Sequence, residues 1–393
     1  MAGPLRMAIV GGGGRGRSFL GPMSALSEMV VPVAVCDPSE AALKWWEENR
    51  PDMRRFRRYE ELLDWGEFDA VLIASPVTEH ARQAISALEA GKHVLSEVPA
   101  ATTLDECYAL VEASRKSSAV YMLAENYCYL RQNMMVLNMV ELGLFGEVYY
   151  AEGGYIHDCR YLLFGPDGTL TWRGELWRTK TGNWYPTHSV GPVAQWLGIG
   201  KRDRFVKLTT FVTAMHSVPK YAAEVLGEDR PESRPEFWSA GDCSVTLLRT
   251  ERGAVVVLRL DASSPRPHNM THYALQGTKG AYVSSRGHGS GDADLVWIEG
   301  RSPGRSPGDA SWEPLLNYAD EFEHPKWREL GELAARHGHG GGDLLVLHDF
   351  IKSAIEGTEP PITARDAAIW SAIIPLSFES ATKGGEPVEF PRF

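Results

Sequence analysis

Cysteine is scarce in this sequence and nowhere paired. Cys36, Cys107, Cys128, Cys159 and Cys243 are scattered, and no Cys-x-x-Cys occurs. The odd number argues against a disulfide framework, and the spacing offers no zinc site, so no metal is expected. Long apolar runs are also missing. No stretch approaches the roughly 20 residues that span a bilayer. The opening MAGPLRMAIVGGGG has a short apolar run that flows straight into glycines. That pattern is not a signal peptide, and the expected location is the cytoplasm, with no membrane partner. Positive charge is in deficit: 40 Lys and Arg stand against 51 Asp and Glu, a net charge of −11. A phosphate backbone wants a basic face, so nucleic acid is not an expected partner. No internal repeat is present.

What remains is ordinary globular composition, 44% hydrophobic and 23% charged over 393 residues. That length supports two or three domains with sizeable cores. In the first third, short β-branched runs (MAIV at 7–10, VPVAV at 31–35, AVLIA at 70–74, HVLS at 93–96, VYML at 120–123) alternate with helical patterns near 15–29, 39–49, 78–90 and 103–117. Thr78 and Thr103 stand where helix N-caps are expected. Such alternation predicts a parallel, doubly wound sheet over residues 1–124. Beyond Ala124 a helix near 130–142 gives way to longer strands joined by short turns, such as EVYYAEGGYI, CSVTLLRT and AVVVLRLDA. They predict an α+β domain over 125–393 with a large, mainly antiparallel open sheet. The Gly-, Trp- and Tyr-rich segment 157–200 is expected to be an ordered loop over a site. Residues 300–310 are expected as an exposed loop. Helices near 324–336, 343–356 and 364–380 close the chain and are free to pack back on the first domain.

Gly11, Gly13 and Gly16 form G-x-G-x-x-G directly after the first strand. The first glycine permits a tight turn, the second close approach to a pyrophosphate, the third close helix–strand packing. Asp37 ends the second strand 21 residues after Gly16. A carboxylate there accepts from ribose hydroxyls and repels a 2′-phosphate, which points to NAD over NADP. The same glycines also fit a turn with no ligand, but the strand, helix and acid in register favour the dinucleotide.

SPVTEH (75–80) and SEVPA (96–100) resemble the T-P-N-x-x-H and E-K-P signatures of the Gfo/Idh/MocA sugar oxidoreductases, with Val98 where dehydrogenases carry lysine. ENYCY (125–129), GGYIHD (153–158), GNWYPTHSVGPVAQWLGI (182–199), SSPRP (263–267), QGTKG (276–280) and GHGGGD (338–343) extend the likeness over nearly the whole chain. They resemble the NAD-dependent glycosidases of glycoside hydrolase family 109, typified by α-N-acetylgalactosaminidase. The resemblance implies cofactor contacts at Arg15, Asp37, Ser75, Val77 through His80, Glu97, Val98 and Asn126. It implies sugar contacts at Tyr155, Arg173, Tyr185, Thr187, His188 and His268, the last standing where tyrosine is usual. Ser189-Val190 and Gly342 depart from the usual Gly-Leu and Met. These departures lie at or near the expected sugar pocket. A neighbouring branch that cleaves sulfoquinovosides is therefore a second expectation, with Arg173, Arg178 and Lys180 available to grip a sulfonate. A homo-oligomer, dimer or tetramer, formed through the outer face of the C-terminal sheet is a further implication.

A conventional glycosidase uses two facing carboxylates. No pair declares itself, with Glu125, Glu152 and Asp158 the loose candidates and Glu125 kept as a substrate contact. The cofactor offers another route. Oxidation at sugar carbon 3 acidifies the carbon 2 proton, its loss expels the aglycone, water adds, and carbon 3 is re-reduced. Histidine titrates near neutrality and suits either proton transfer, so His188 is the leading catalytic residue. Tyr155 and Tyr185 are relay candidates beside the Arg173 cation. Each has a plain reading too: His188 as a hydrogen-bonded core residue, Tyr155 as sheet packing, Arg173 as a surface ion-pair member. His337 and His339 suggest metal ligands, but a glycine-hinged loop closing on the site fits better. The alternative activity is an NAD-dependent sugar or polyol dehydrogenase, against which Val98 argues.

Overall fold

The computed structural model describes residues 3–267, 269–287, 290–306 and 308–393, with the backbone alone at 269–271. His268 lies outside the described residues. Two compact units emerge. One comprises the chain up to Arg131 with Pro325–Ala372 and Phe393, and the other Gln132–His324 with Ile373–Arg392.

In the first unit, β1 (Leu5–Val10), β2 (Val30–Cys36), β3 (Arg54–Phe56), β4 (Ala70–Ile73), β5 (His93–Ser96) and β6 (Tyr121–Leu123) form one sheet. Its order is β3-β2-β1-β4-β5-β6 and every pairing is parallel. The apolar runs alone gave five strands. The sixth, β3, is an arginine-rich edge triplet paired only with β2, without the signature of a buried strand. All four residues of β4 are buried, as a central parallel strand covered on both faces requires. The order reverses between β1 and β4, which opens a crevice at the carboxyl ends of those strands.

Thr103 caps the Leu104–Lys116 helix in a full capping box with Glu106. Thr78 does not cap: the Val77–Glu89 helix starts one residue earlier, after Pro76. Proline fits just outside the first turn, where an N–H is not needed. The helix expected near 15–29 is two short pieces, Gly14–Ser18 and Leu20–Ala25. The one expected over 364–380 breaks into Ala364–Ser371 and Ile373–Thr382, which fall in different units. Pro375 has no N–H for the Ser371 carbonyl, so the ladder lapses at that point.

The second unit holds β7 (Val148–Ile156), β8 (Phe205–Val212), β9 (Ser244–Thr250), β10 (Val255–Asp261), β11 (Asn269–Gly277), β12 (Gly280–Val283), β13 (Leu295–Ile298), β14 (Glu313–Pro314) and β15 (Val388–Glu389). The order is β14-β13-β12-β11-β7-β10-β9-β8-β15. All pairings are antiparallel except β7 with β10, which is parallel. No hairpin joins those two strands, so short-turn logic does not constrain them.

The expected loop over 157–200 is largely helical, with Trp172–Thr179 and Thr187–Leu197. The second helix, THSVGPVAQWL, is poor in helix formers and contains Pro192. Tertiary burial overrides propensity here, because every residue but Gln195 is buried. It packs on β7 at Gly153, where a Cβ would collide with the Ser189 carbonyl. No helix among the described residues is long and apolar enough to cross a membrane.

Candidate active site

The glycine loop after β1 holds two kinds of glycine. Gly11 has φ +91°, and a Cβ on it would strike the Ala74–Ser75 backbone. A Cβ on Gly16 would strike the Gly11 carbonyl. These two are packed. Gly13 and the adjoining Gly14 face open space, with nothing within 4 Å of a built Cβ. A ligand can therefore come close to the backbone there. Asp37 turns toward the same loop: its Oδ2 accepts from the Gly12 N–H at 2.7 Å and its Oδ1 from the Ser39 N–H at 2.8 Å. A carboxylate has about four acceptor positions, so roughly two remain for ribose hydroxyls.

Loops after β4 and β5 are stapled together by His80, which is 2% exposed. Its Nε2 lies 2.8 Å from the Ser75 carbonyl and its Nδ1 2.8 Å from the Pro99 carbonyl. Burial pushes the imidazole below its ordinary value, while the two carbonyls pull the other way. With both ring nitrogens engaged by backbone, His80 shapes the cradle in this structure. Ser75 Oγ donates to Gln83 Oε1 at 2.7 Å, and Val77 and Val98 are buried.

Arg15 ties the glycine loop to the rest of the cradle. Its Nε donates to Glu97 Oε1 at 2.7 Å, and its two terminal nitrogens reach Asp343 Oδ2 and Oδ1 at 3.0 and 2.9 Å. Asp343 also meets Asn126 Nδ2 and His339 Nδ1, each at 2.9 Å. Burial alone would raise the Asp343 carboxyl. The hydrogen bonds and charges of His339 and Arg15 hold it well below the usual carboxylate range. Asp343 was not among the residues expected from sequence. Its only signal was its place at the end of GHGGGD. Glu125 lies in this unit too, buried, with Oε1 accepting from the Tyr127 N–H at 3.1 Å.

The second unit gathers a separate cluster. Tyr155 lies at the end of β7, Tyr185 in the following loop, and His188 in the first turn of the Thr187–Leu197 helix. Their ring centroids form a near-equilateral triangle: 5.4 Å for Tyr155–Tyr185, 5.3 Å for Tyr155–His188, 5.2 Å for Tyr185–His188. The Arg173 guanidinium lies 4.5 Å from the Trp172 ring and 5.8 Å from that of Tyr185. It makes no ion pair among the described residues, so the surface-pair reading of Arg173 fails. Burial pushes the Cys159 thiol, 4.0 Å from the Tyr155 hydroxyl, up to about 11, opposed by the Arg173 charge. Thr187 Oγ1 and both amide atoms of Asn183 are buried without a hydrogen-bond partner among the described residues. Asn183 was not singled out from sequence, although it sits inside the GNWYPTH block. Orphaned buried polar atoms beside two tyrosines, a histidine and an arginine suit a polyhydroxylated ligand.

The open Gly13–Gly14 surface, the spare Asp37 acceptors and the buried, unpartnered Asn126 Oδ1 all fit NAD. A parallel Rossmann sheet with this cradle, in a chain with a sheet-rich second unit, defines an NAD-binding enzyme of the oxidoreductase fold. Sequence comparison makes the assignment specific. Residues 5–125 match the oxidoreductase family with an NAD-binding Rossmann fold, and residues 129–393 match the glycosyl hydrolase 109 C-terminal domain. The chain belongs to glycosyl hydrolase family 109 and is an NAD-dependent glycosidase. A family 109 protein of Solibacter usitatus is 35% identical, covering 100% of this chain and 88% of that protein. An alpha-N-acetylgalactosaminidase of Tannerella forsythia is 34% identical, covering 100% and 86%. Among solved structures, levoglucosan dehydrogenase in complex with NADH and levoglucosan superposes with a TM-score of 0.77 at 21% identity. That match covers 99% of this chain and 100% of the other, and it shares the fold.

Proposed function

We propose that the enzyme cleaves its glycoside by transient oxidation at sugar carbon 3, elimination of the aglycone across carbons 1 and 2, addition of water and re-reduction. The observation that carries this reading is the mutual contact of Tyr155, Tyr185 and His188 with Arg173 alongside. When bound, NAD supplies reversible two-electron oxidation of a carbinol carbon. Gly11, Gly13, Arg15, Gly16, Asp37, Ser75, Val77, His80, Glu97, Val98 and Asn126 are the residues proposed to form its cradle. His188 holds the proton taken from one of the two sugar carbons' groups, and Tyr155 or Tyr185 serves the other. Arg173 places a cation near the Tyr185 ring and binds sugar hydroxyls. Thr187 offers a buried hydroxyl for the same purpose. Valine at position 98 fits, because it has no group to take the carbon 3 proton, which another residue must then handle.

The sugar class follows two observations. The name of the Tannerella forsythia relative supports an α-N-acetylgalactosaminide. Arg173, stacked but not ion-paired, supports an anionic sugar such as a sulfoquinovoside. Arg178 is a weaker anion ligand, since it already pairs with Glu175. A nitrophenyl glycoside panel containing both sugars decides between them.

A homo-oligomer formed through the outer face of the second sheet is also proposed. Phe211, Val245, Leu247 and Val255 are exposed there, with Phe211 opposite Val245 across β8–β9. Exposed apolar side chains on neighbouring strands mark an association surface.

The mechanism is tested in deuterium oxide. Elimination replaces the carbon 2 proton, so early product should carry deuterium at carbon 2 and hydrogen at carbon 3 by proton NMR. Product without deuterium at carbon 2 and no primary isotope effect from carbon-2-deuterated substrate would exclude the elimination.

A further inference from the structure

Asp343 opens the Gly342–Glu356 helix, more than 200 residues from the glycine loop, yet it ties three loops at the carboxyl edge of the parallel sheet. Arg15, after β1, gives it two hydrogen bonds and carries Glu97, after β5, on its Nε. Asn126, after β6, gives it a third through Nδ2. The helix sits so tightly on this last loop that a Cβ on Gly342 would collide with the Asn126 carbonyl.

A carboxylate only accepts hydrogen bonds. The partner amide must therefore present Nδ2 to Asp343, and the Asn126 orientation is no longer free. Its Oδ1 is left buried with no protein partner among the described residues, while Asn126 as a whole is 2% exposed. A buried acceptor without a partner is costly, so the site is built for a donor that the described residues do not supply. The loop that delivers Asp343 is itself strained. His339, with φ 51°, is the only non-glycine residue at positive φ among the described residues, and its ring bonds Asp343. Backbone strain of this kind persists where surrounding contacts over-determine it, and it clusters at ligand sites.

We infer that Asp343 is a positioning residue for the cofactor: it fixes the Asn126 amide so that Oδ1 accepts from a hydroxyl of the bound dinucleotide, and it holds Arg15 across the cradle. The inference rests on the proposed placement of Asn126 in the NAD cradle.

The test is the rate at which NAD leaves the purified holoenzyme after dilution into a nucleotide-consuming trap. Asp343→Asn lets the amide of Asn126 turn, and release should be at least tenfold faster. Asn126→Asp sets two carboxylates face to face, with a similar effect. The double variant, Asn126→Asp with Asp343→Asn, reverses donor and acceptor and again offers an acceptor to the ligand. Its release should be slower than that of either single variant, a rescue that general loosening of the fold does not produce. Wild-type release from Asp343→Asn, or a double variant no slower than the singles, overturns the inference. Asn126→Ala separates the underlying placement: unchanged release in that variant shows that Asn126 is not a cofactor ligand, and the inference falls with it. Should Asp343→Asn not fold, His339→Ala removes one of its donors at a half-exposed ring. Release about threefold faster supports the inference, and unchanged release overturns it.

Discussion

The carbonyl of His188 accepts a 2.5 Å hydrogen bond from the Tyr273 hydroxyl. The candidate base is thereby pinned through its backbone to β11, 85 residues away, while its ring stays in the Tyr155–Tyr185 cluster. The backbone anchor does not depend on the imidazole, so His188→Ala should keep the helix in place. Turnover should fall by about 10²–10⁴, the usual contribution of a general acid or base, with unchanged NAD content. Near-wild-type turnover in a folded variant would transfer the role to Tyr155 or Tyr185.

Asp37 faces the glycine loop with both oxygens already hydrogen-bonded to backbone and about two acceptor positions to spare. Asp37→Ala should weaken NAD binding by about 1.5–3 kcal/mol, the size of a charge-assisted hydrogen bond. That is roughly a ten- to hundredfold rise in Kd, measured by titration calorimetry. An unchanged Kd would show that ribose does not contact this carboxylate.

Asp349 accepts from the Tyr129 hydroxyl at 2.9 Å and pairs with Lys326, and both partners are largely buried. Burial would raise its carboxyl, but His348, Lys326 and Tyr129 hold it below the ordinary value. A carboxyl depressed in the folded state stabilises the protein above its unfolded pKa of about 4. That contribution is lost as pH falls from there through the folded value. Asp349→Asn should cost about 3 kcal/mol at pH 7, since it removes the buried carboxylate that pairs with Lys326 and accepts from Tyr129. It should also flatten the decline in the urea midpoint below pH 4. A variant whose acid profile parallels the wild type would assign the decline to other carboxylates.

Phe211 is 62% exposed, and Leu247 is exposed on the same outer sheet face. If this face pairs copies of the chain, Phe211→Lys with Leu247→Lys should shift the sedimenting species to a monomer without moving the NAD dissociation constant. A wild-type protein that sediments as a monomer at micromolar concentration removes the proposal outright.

Local spacing set much of this molecule. Gly11, Gly13 and Gly16 are legible as a motif within six residues, and the Gly16 clash with the Gly11 carbonyl is local, although the backbone that excludes a side chain at Gly11 is that of Ala74–Ser75. The apolar runs of β1, β2 and β4 follow directly from burial on both faces of a parallel sheet. Thr103 and Glu106 specify their capping box at a fixed separation of three. Tertiary structure decided the rest. THSVGPVAQWL is helical because it is buried against β7, against its own propensity. Tyr155, Tyr185 and His188 come from three elements, and only packing sets their rings about 5 Å apart. Asp343 joins the cradle because Gly342 lets its helix seat on Asn126. That partnership, between residues 217 positions apart, has no local period to betray it. A carboxylate's role is written in which donors the fold brings to it, and one-dimensional spacing does not encode those donors.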